Sequence, residues 1–211
     1  MAHVKICGIS EPKTLQSAIE AGARFIGLVF YPPSPRAVSF DTAFHLARAL
    51  PTGVRSVGLF VDPSNELLEQ TLGGIGLDMI QLHGNESPGR VAEIKSRHNI
   101  DVMKAIRVAS KDDLREVNGF ETAADWLLFD SRPPKADLPG GTGHSFDWTI
   151  LASQSFKKPW MLGGGLNIDN VGEALSILKP DAVDVSSGVE SARGIKDPDK
   201  IKAFIQTVKQ A

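Results

Sequence analysis

Trp160-Met161-Leu162-Gly163-Gly164-Gly165-Leu166 and, one helix later, Asp181-Ala182-Val183-Asp184-Val185-Ser186-Ser187-Gly188-Val189-Glu190 are the stretches that decide the fold. In the first, an apolar strand breaks into three glycines before helical spacing takes over across residues 168–178. No side chain blocks the backbone there, so an anion can approach it closely. In the second, a strand runs into two hydroxyls and a glycine, the composition of a helix N-terminus. Bare amides and a positive helix end favour phosphate. One Gly-rich corner is usually just a turn. Two in succession match the loops after strands seven and eight of a (β/α)8 barrel, which frequently form a phosphate site with a short extra helix. This reading requires six more strands before Trp160.

The chain supplies them. Residues 3–7, 25–30, 54–61, 77–82, 102–107 and 126–130 read as strands, each followed by helical spacing. Leu15, Ala18, Ile19 and Gly22 give one small apolar face. Ser39 caps a helix that buries Ala43, Leu46, Ala47 and Leu50. Asp62-Pro63 reads as a cap and first-turn proline for a helix facing inward through Leu68, Thr71 and Leu72. Helices over residues 88–98 and 112–118 follow. Residues 131–146 are rich in proline and glycine and long for a connection, which points to a functional loop. Asp147 then starts a short helix, and Ile201, Phe204, Ile205 and Val208 face inward from the last one. Eight strands alternating with eight helices predict an α/β protein, a single (β/α)8 TIM barrel over residues 1–211. An open doubly wound sheet is the alternative. Closure would pair strand one with strand eight, and period-two alternation would point Lys5 and Asp184 into the barrel as an ion pair, since an unpaired charge there is costly.

Composition narrows the function. The 211 residues carry 23 Lys+Arg against 25 Asp+Glu, a net charge of −2, with neither sign segregated. Nucleic acid and membrane surfaces are therefore not expected partners. The single cysteine, Cys7, excludes an internal disulfide, and no apolar run approaches a membrane span or a signal peptide. A cytoplasmic location is the expectation, as monomer or homodimer.

Barrel active sites lie at the C-terminal ends of the strands, so the polar residues closing them matter most. Strand one closes with Cys7, strand two delivers Arg36 through its loop, strand four closes with His83 and strand six with Asp130. Leu128 and Asp130 share one face of strand six, Leu127 and Phe129 the other. Each candidate has a plainer reading. Cys7 could be a small buried hydrophobe, and it can serve as a base only if its pKa is lowered by cations or helix ends, or matched to the step. Asp130 could be a helix cap or a surface carboxylate; as an acid it would need an apolar setting. Arg36 could be solvated, although its proline frame suits a fork that meets a planar carboxylate. His83 stands open between a structural hydrogen bond and the site, with Gln81 on its face.

Val4-Lys5-Ile6-Cys7-Gly8-Ile9, Phe30-Tyr31-Pro32-Pro33-Ser34-Pro35-Arg36-Ala37-Val38, Gln81-Leu82-His83-Gly84, Leu127-Leu128-Phe129-Asp130, Gly140-Gly141-Thr142-Gly143-His144-Ser145-Phe146-Asp147-Trp148 and the two corners together resemble the phosphoribosylanthranilate isomerase family of tryptophan biosynthesis. Seven motifs in order, from residue 4 to about residue 197, carry the resemblance. It implies an Amadori rearrangement of N-(5-phosphoribosyl)anthranilate to 1-(2-carboxyphenylamino)-1-deoxyribulose 5-phosphate, with no metal or organic cofactor. By resemblance Cys7 is the general base, Asp130 the general acid and Arg36 the contact to the anthranilate carboxylate. Gly164, Gly165, Ser186 and Ser187 form the phosphate clamp, and His83 and Asp184 complete the candidate substrate-binding set. Gly163 departs from the Ser or Ala expected of many relatives. Related barrels such as indole-glycerol-phosphate synthase or the histidine-pathway isomerase share phosphate corners without reason to pair Cys7 with Asp130. A non-catalytic binder would keep the clamp without needing Cys7, Asp130 and Arg36 together.

Overall fold

The computed structural model describes residues 1–132 and 145–211. The long loop motif around Gly140-Gly141-Thr142-Gly143-His144 therefore lies outside the described residues. Eight strands, β1 His3–Cys7, β2 Phe25–Val29, β3 Arg55–Phe60, β4 Met79–Leu82, β5 Asp101–Val108, β6 Trp126–Ser131, β7 Trp160–Leu162 and β8 Ala182–Val185, pair in parallel in chain order. β8 closes on β1, with Lys5 opposite Asp184 in the register, so the open-sheet alternative is excluded. Helices α1 Pro12–Ala21, α2 Phe40–Arg48, α3 Asn65–Ile75, α4 Pro88–His98, α5 Val117–Ala123, α6 Thr149–Ala152, α7 Val171–Ile177 and α8 Pro198–Gln210 follow the strands in turn. Among the described residues, no helix is long and apolar enough to cross a membrane.

Two cores follow from the alternation of side chains along each strand. Inward-pointing Phe25, Val57, Met79, Met103, Leu128, Met161 and Ala182 fill the barrel. Outward-pointing Ile6, Ile26, Ile80, Leu127, Phe129 and Val183 pack under the helices, against Leu15, Leu68, Phe204 and Ile205 among others. The split between Leu128 and its neighbours Leu127 and Phe129 is the one read from sequence. Above the apolar filling, the interior turns polar: Lys5 is fully buried and its Nζ lies 2.9 Å from Asp184 Oδ1. Burial works against its charge, but Asp184 and Cys7 more than compensate, and its pKa is raised. The expected ion pair is present.

Several local expectations are corrected. Ser64, not Asp62, caps α3, accepting from the Leu67 amide. Asp62 is left-handed (φ 45°) and its carboxylate instead accepts from the Asn85 amide, tying the loop after β3 to the loop after β4. The span 112–118 divides into a 3-10 turn, Lys111–Leu114, and α5, because Asp113 turns back to accept from the Ala109 and Ser110 amides. α7 begins only at Val171, after a turn in which Asn167 and Asn170 exchange side-chain hydrogen bonds with the backbone. Most consequentially, Ser186-Ser187-Gly188 does not open a helix. The chain continues into an antiparallel hairpin, β9 Glu190–Ala192 and β10 Ile195–Lys196, before α8.

Candidate active site

The strand ends open on a cleft of about 700 Å³, mouth included, lined by Cys7, Arg36, Gln81, His83, Asp130 and Asp184. Gly164, Gly165, Ser186 and Ser187 form its other side. Every site residue read from the sequence thus faces one space, although the chain scatters them over some 180 positions.

Asp130 sits at the end of β6 and is 6% exposed. Its Oδ1 accepts from the Ser131 amide at 2.8 Å, and its Oδ2 lies 3.0 Å from His83 Nε2. That second contact is close but not aligned as a hydrogen bond, leaving Nε2 without one. His83 Nδ1 in turn lies 2.8 Å from Gln81 Nε2, so Gln81 orients the ring from its own strand. His83, left open by the sequence, lines the cleft beside Asp130. The glycine at 164 has a geometric cause: at φ 82°, a Cβ there would meet the Ser131 nitrogen at 2.4 Å and Asp130 Oδ1 at 3.0 Å. The first corner folds directly onto the carboxylate. Gly165 is also left-handed, at φ 68°. Gly163 is not; a Cβ there would press on Leu128 Cδ1 at 3.2 Å, a side-chain contact that a small shift relieves.

Cys7 is a free, buried thiol at the end of β1. Gly27 on β2 makes room for it, because a Cβ there would lie 2.9 Å from Sγ. Burial pushes the thiol above its ordinary pKa. Lys5 and Lys196 pull it down, and Asp184 pushes it further up. The cations that a lowered thiol would need are present, but desolvation outweighs them.

The second corner is joined to the first through a backbone bridge between Asn167 and Gly188. Gly188 permits this, since a Cβ would sit 2.0 Å from the Leu166 carbonyl oxygen. Ser186 donates its hydroxyl to the Cys7 carbonyl at 3.0 Å, linking the corner to β1.

Arg36 is 7% exposed, and its fork meets Glu190 two-pronged, Nε to Oε1 at 2.7 Å and Nη2 to Oε2 at 3.0 Å. Glu190 Oε1 also takes Lys196 Nζ at 2.6 Å, and the Gly194 amide donates to Oε2 at 3.0 Å. Burial opposes the Glu190 charge, but the Arg36 hydrogen bonds and Lys196 outweigh it and hold the carboxyl at about 2. A depressed carboxyl contributes stability that is complete above its unfolded pKa and lost as pH falls through the folded one. Between about pH 4.3 and pH 2, wild-type melting temperature should therefore fall more steeply than that of Glu190→Gln. Equal slopes would contradict the assignment.

Glu190 and Lys196 are the residues that the sequence reading missed. The signal was there: a glutamate and a lysine flanking Arg193-Gly194, with Gly194 at φ 86°, are a hairpin's spacing, not a helix start.

The family described as N-(5'phosphoribosyl)anthranilate (PRA) isomerase matches residues 4–207. The N-(5'-phosphoribosyl)anthranilate isomerase of Rhodospirillum centenum is 54% identical over 205 residues, covering 96% of each chain. That of Paracoccus denitrificans is 52% identical over 203 residues, covering 96% of this chain and 94% of its own. Among solved structures, phosphoribosyl anthranilate isomerase from Thermotoga maritima superposes with a TM-score of 0.90 at 36% identity over all of both chains. Another, solved in complex with reduced 1-(o-carboxyphenylamino)-1-deoxyribulose 5-phosphate, gives 0.86 at 34% identity, again over all of both chains. A closed barrel whose strand ends gather these residues, matched along nearly its whole length by such relatives, places the chain among the isomerases of tryptophan biosynthesis: it belongs to the N-(5'-phosphoribosyl)anthranilate isomerase family.

Proposed function

We propose that the cleft converts N-(5-phosphoribosyl)anthranilate to 1-(2-carboxyphenylamino)-1-deoxyribulose 5-phosphate, with Asp130 as general acid and Cys7 as general base. The observation that carries this is the convergence of Cys7, Asp130 and both glycine and serine corners on one cleft. The phosphate lies against the backbone of Gly164, Gly165, Ser186 and Ser187. No extra helix end assists the second corner, so amides and nearby cations do the binding. Apolar Val29, Leu59 and Val61 line the same cleft and offer the anthranilate ring a wall, with Arg36 toward its carboxylate.

Asp130 gives its proton to the furanose oxygen, the C1–O bond breaks, and the nitrogen lone pair forms the C1=N⁺ bond. Cys7 then takes the proton from C2, and those electrons neutralise the iminium as an enol-amine. Tautomerisation of the enol-amine gives the ketose. Asp184 holds Lys5 beneath this space. The setting is a cytoplasmic one, where a lone thiol stays reduced.

Substrate carrying deuterium at the ribose C2 tests the proton step. The label should reach the thiol, from which it exchanges with solvent or returns to C1, and kcat should fall with a primary isotope effect; label retained in full at C1 at an undiminished rate in Cys7→Ser would replace abstraction by Cys7 with internal migration. The clamp has its own test. A bulky residue in place of Gly165 should raise KM for substrate and weaken inorganic phosphate binding together, whereas a change in kcat alone would remove Gly165 from the clamp.

A further inference from the structure

The hairpin after β8 buries a three-charge cluster of Arg36, Glu190 and Lys196 beside the phosphate corner, and the mechanism above uses only its arginine. Lys196 has a 1% exposed side chain. Its ammonium donates to Glu190 Oε1 at 2.6 Å, to the Ser186 carbonyl at 3.0 Å and to the Ser186 hydroxyl at 3.2 Å. Glu190 in turn grips Arg36 from the loop after β2. Lys200 secures the hairpin by donating to the Glu190 carbonyl at 2.8 Å. Gly194 lets the turn pack against that loop, since a Cβ would come within 2.8 Å of the Pro35 carbonyl oxygen. One lysine thus touches the phosphate corner directly and the arginine arm through one carboxylate.

Charge makes the arrangement informative. Arg36 and Glu190 alone would be a neutral pair, and a neutral pair offers an anion little long-range attraction. Among the described residues, Lys196 leaves the cluster with one net positive charge, in a buried setting where screening is weak. It also stands where a helix N-terminus would have supplied positive potential at this corner, had the chain formed one. We propose that Lys196 is a substrate-positioning residue: it offsets Glu190 so that Arg36 presents net positive charge to a carboxylate, and it backs Ser186 so that the same charge favours the phosphate. Both halves rest on the function proposed above, the arginine half through the substrate's carboxylate and the phosphate half through the clamp at Ser186, and the two fail separately.

The test is competitive inhibition by inorganic phosphate and, separately, by anthranilate, on wild type, Lys196→Met, Glu190→Gln and Arg36→Met, beside melting curves. Lys196→Met should weaken both inhibitors about tenfold or more, with the loss in turnover falling on KM more than on kcat. Glu190→Gln, which leaves at least one net positive charge, should hold phosphate affinity at or above wild type. Weakened phosphate binding in both variants would make the hairpin a structural brace and overturn the inference. Unchanged phosphate affinity in Lys196→Met would overturn it too. Should Lys196→Met fail to fold, Lys196→Gln carries the same test, and the direction of the Glu190→Gln effect decides independently. An Arg36→Met variant with undiminished anthranilate affinity would sink the carboxylate role of Arg36 and leave the phosphate half standing.

Discussion

Asp130→Asn is expected to lower kcat by about 10² or more while leaving phosphate affinity and melting temperature near wild type. The amide keeps the side chain's shape and can still face the Ser131 amide and His83, so packing at the end of β6 is preserved. What it loses is an acidic proton within reach of the ring oxygen. Phosphate affinity should hold, because the proposed clamp is backbone of the loops after β7 and β8 and does not use the Asp130 carboxyl. Asp130→Ala would be a poorer probe, since it also removes the oxygen that accepts from the Ser131 amide and leaves a gap beside His83 Nε2. Steady-state kinetics on Asp130→Asn beside its melting curve decide the matter, and a kcat near wild type removes Asp130 from the proton path.

Cys7→Ser should be as damaging, by about 10² or more, since a serine hydroxyl is far too weakly acidic to supply a base near neutral pH. The thiol itself is not poised. Burial lifts its pKa above the ordinary cysteine value, so only a small fraction is thiolate at neutral pH. The wild-type kcat/KM should then climb with pH through the neutral range and still be rising beyond about pH 8.5, as the raised thiol ionises. In Cys7→Ser that limb should vanish. A wild-type profile already flat above pH 7 would mean that another group takes the C2 proton, or that a step other than proton abstraction limits the rate.

The parts of this site legible in sequence are those fixed by local rules. Alternation along β1 and β8 placed Lys5 and Asp184 on one interior level, and the 2.9 Å contact follows from register alone. The same rule turned Asp130 inward with Leu128. Glycine corners announced where backbone packs closely at the mouth, because only a residue without Cβ allows Gly164 to lie against Asp130 and Gly188 against Leu166. What escaped was long-range. Arg36 and Glu190 are 154 positions apart, and nothing local to either says that they will share hydrogen bonds. The capping of α3 escaped for a related reason: Asp62 has a cap's composition, but the tertiary contact to Asn85 holds it left-handed, and Ser64 two residues later takes the role. Ser186-Ser187-Gly188 likewise has a helix start's composition, yet Gly188 is committed to the first corner and the buried Glu190–Lys196 pair closes a hairpin instead. In each case a partner distant in sequence, and not local composition, chose the conformation.

The most direct test of the whole reading is to mix the purified protein with freshly generated N-(5-phosphoribosyl)anthranilate and follow anthranilate-type fluorescence, with Asp130→Asn and Cys7→Ser alongside. Wild type should consume the substrate catalytically and yield the 1-deoxyribulose product, while both variants stay at least about a hundredfold slower. Binding of the substrate without turnover by wild type, or turnover that neither variant diminishes, would contradict it.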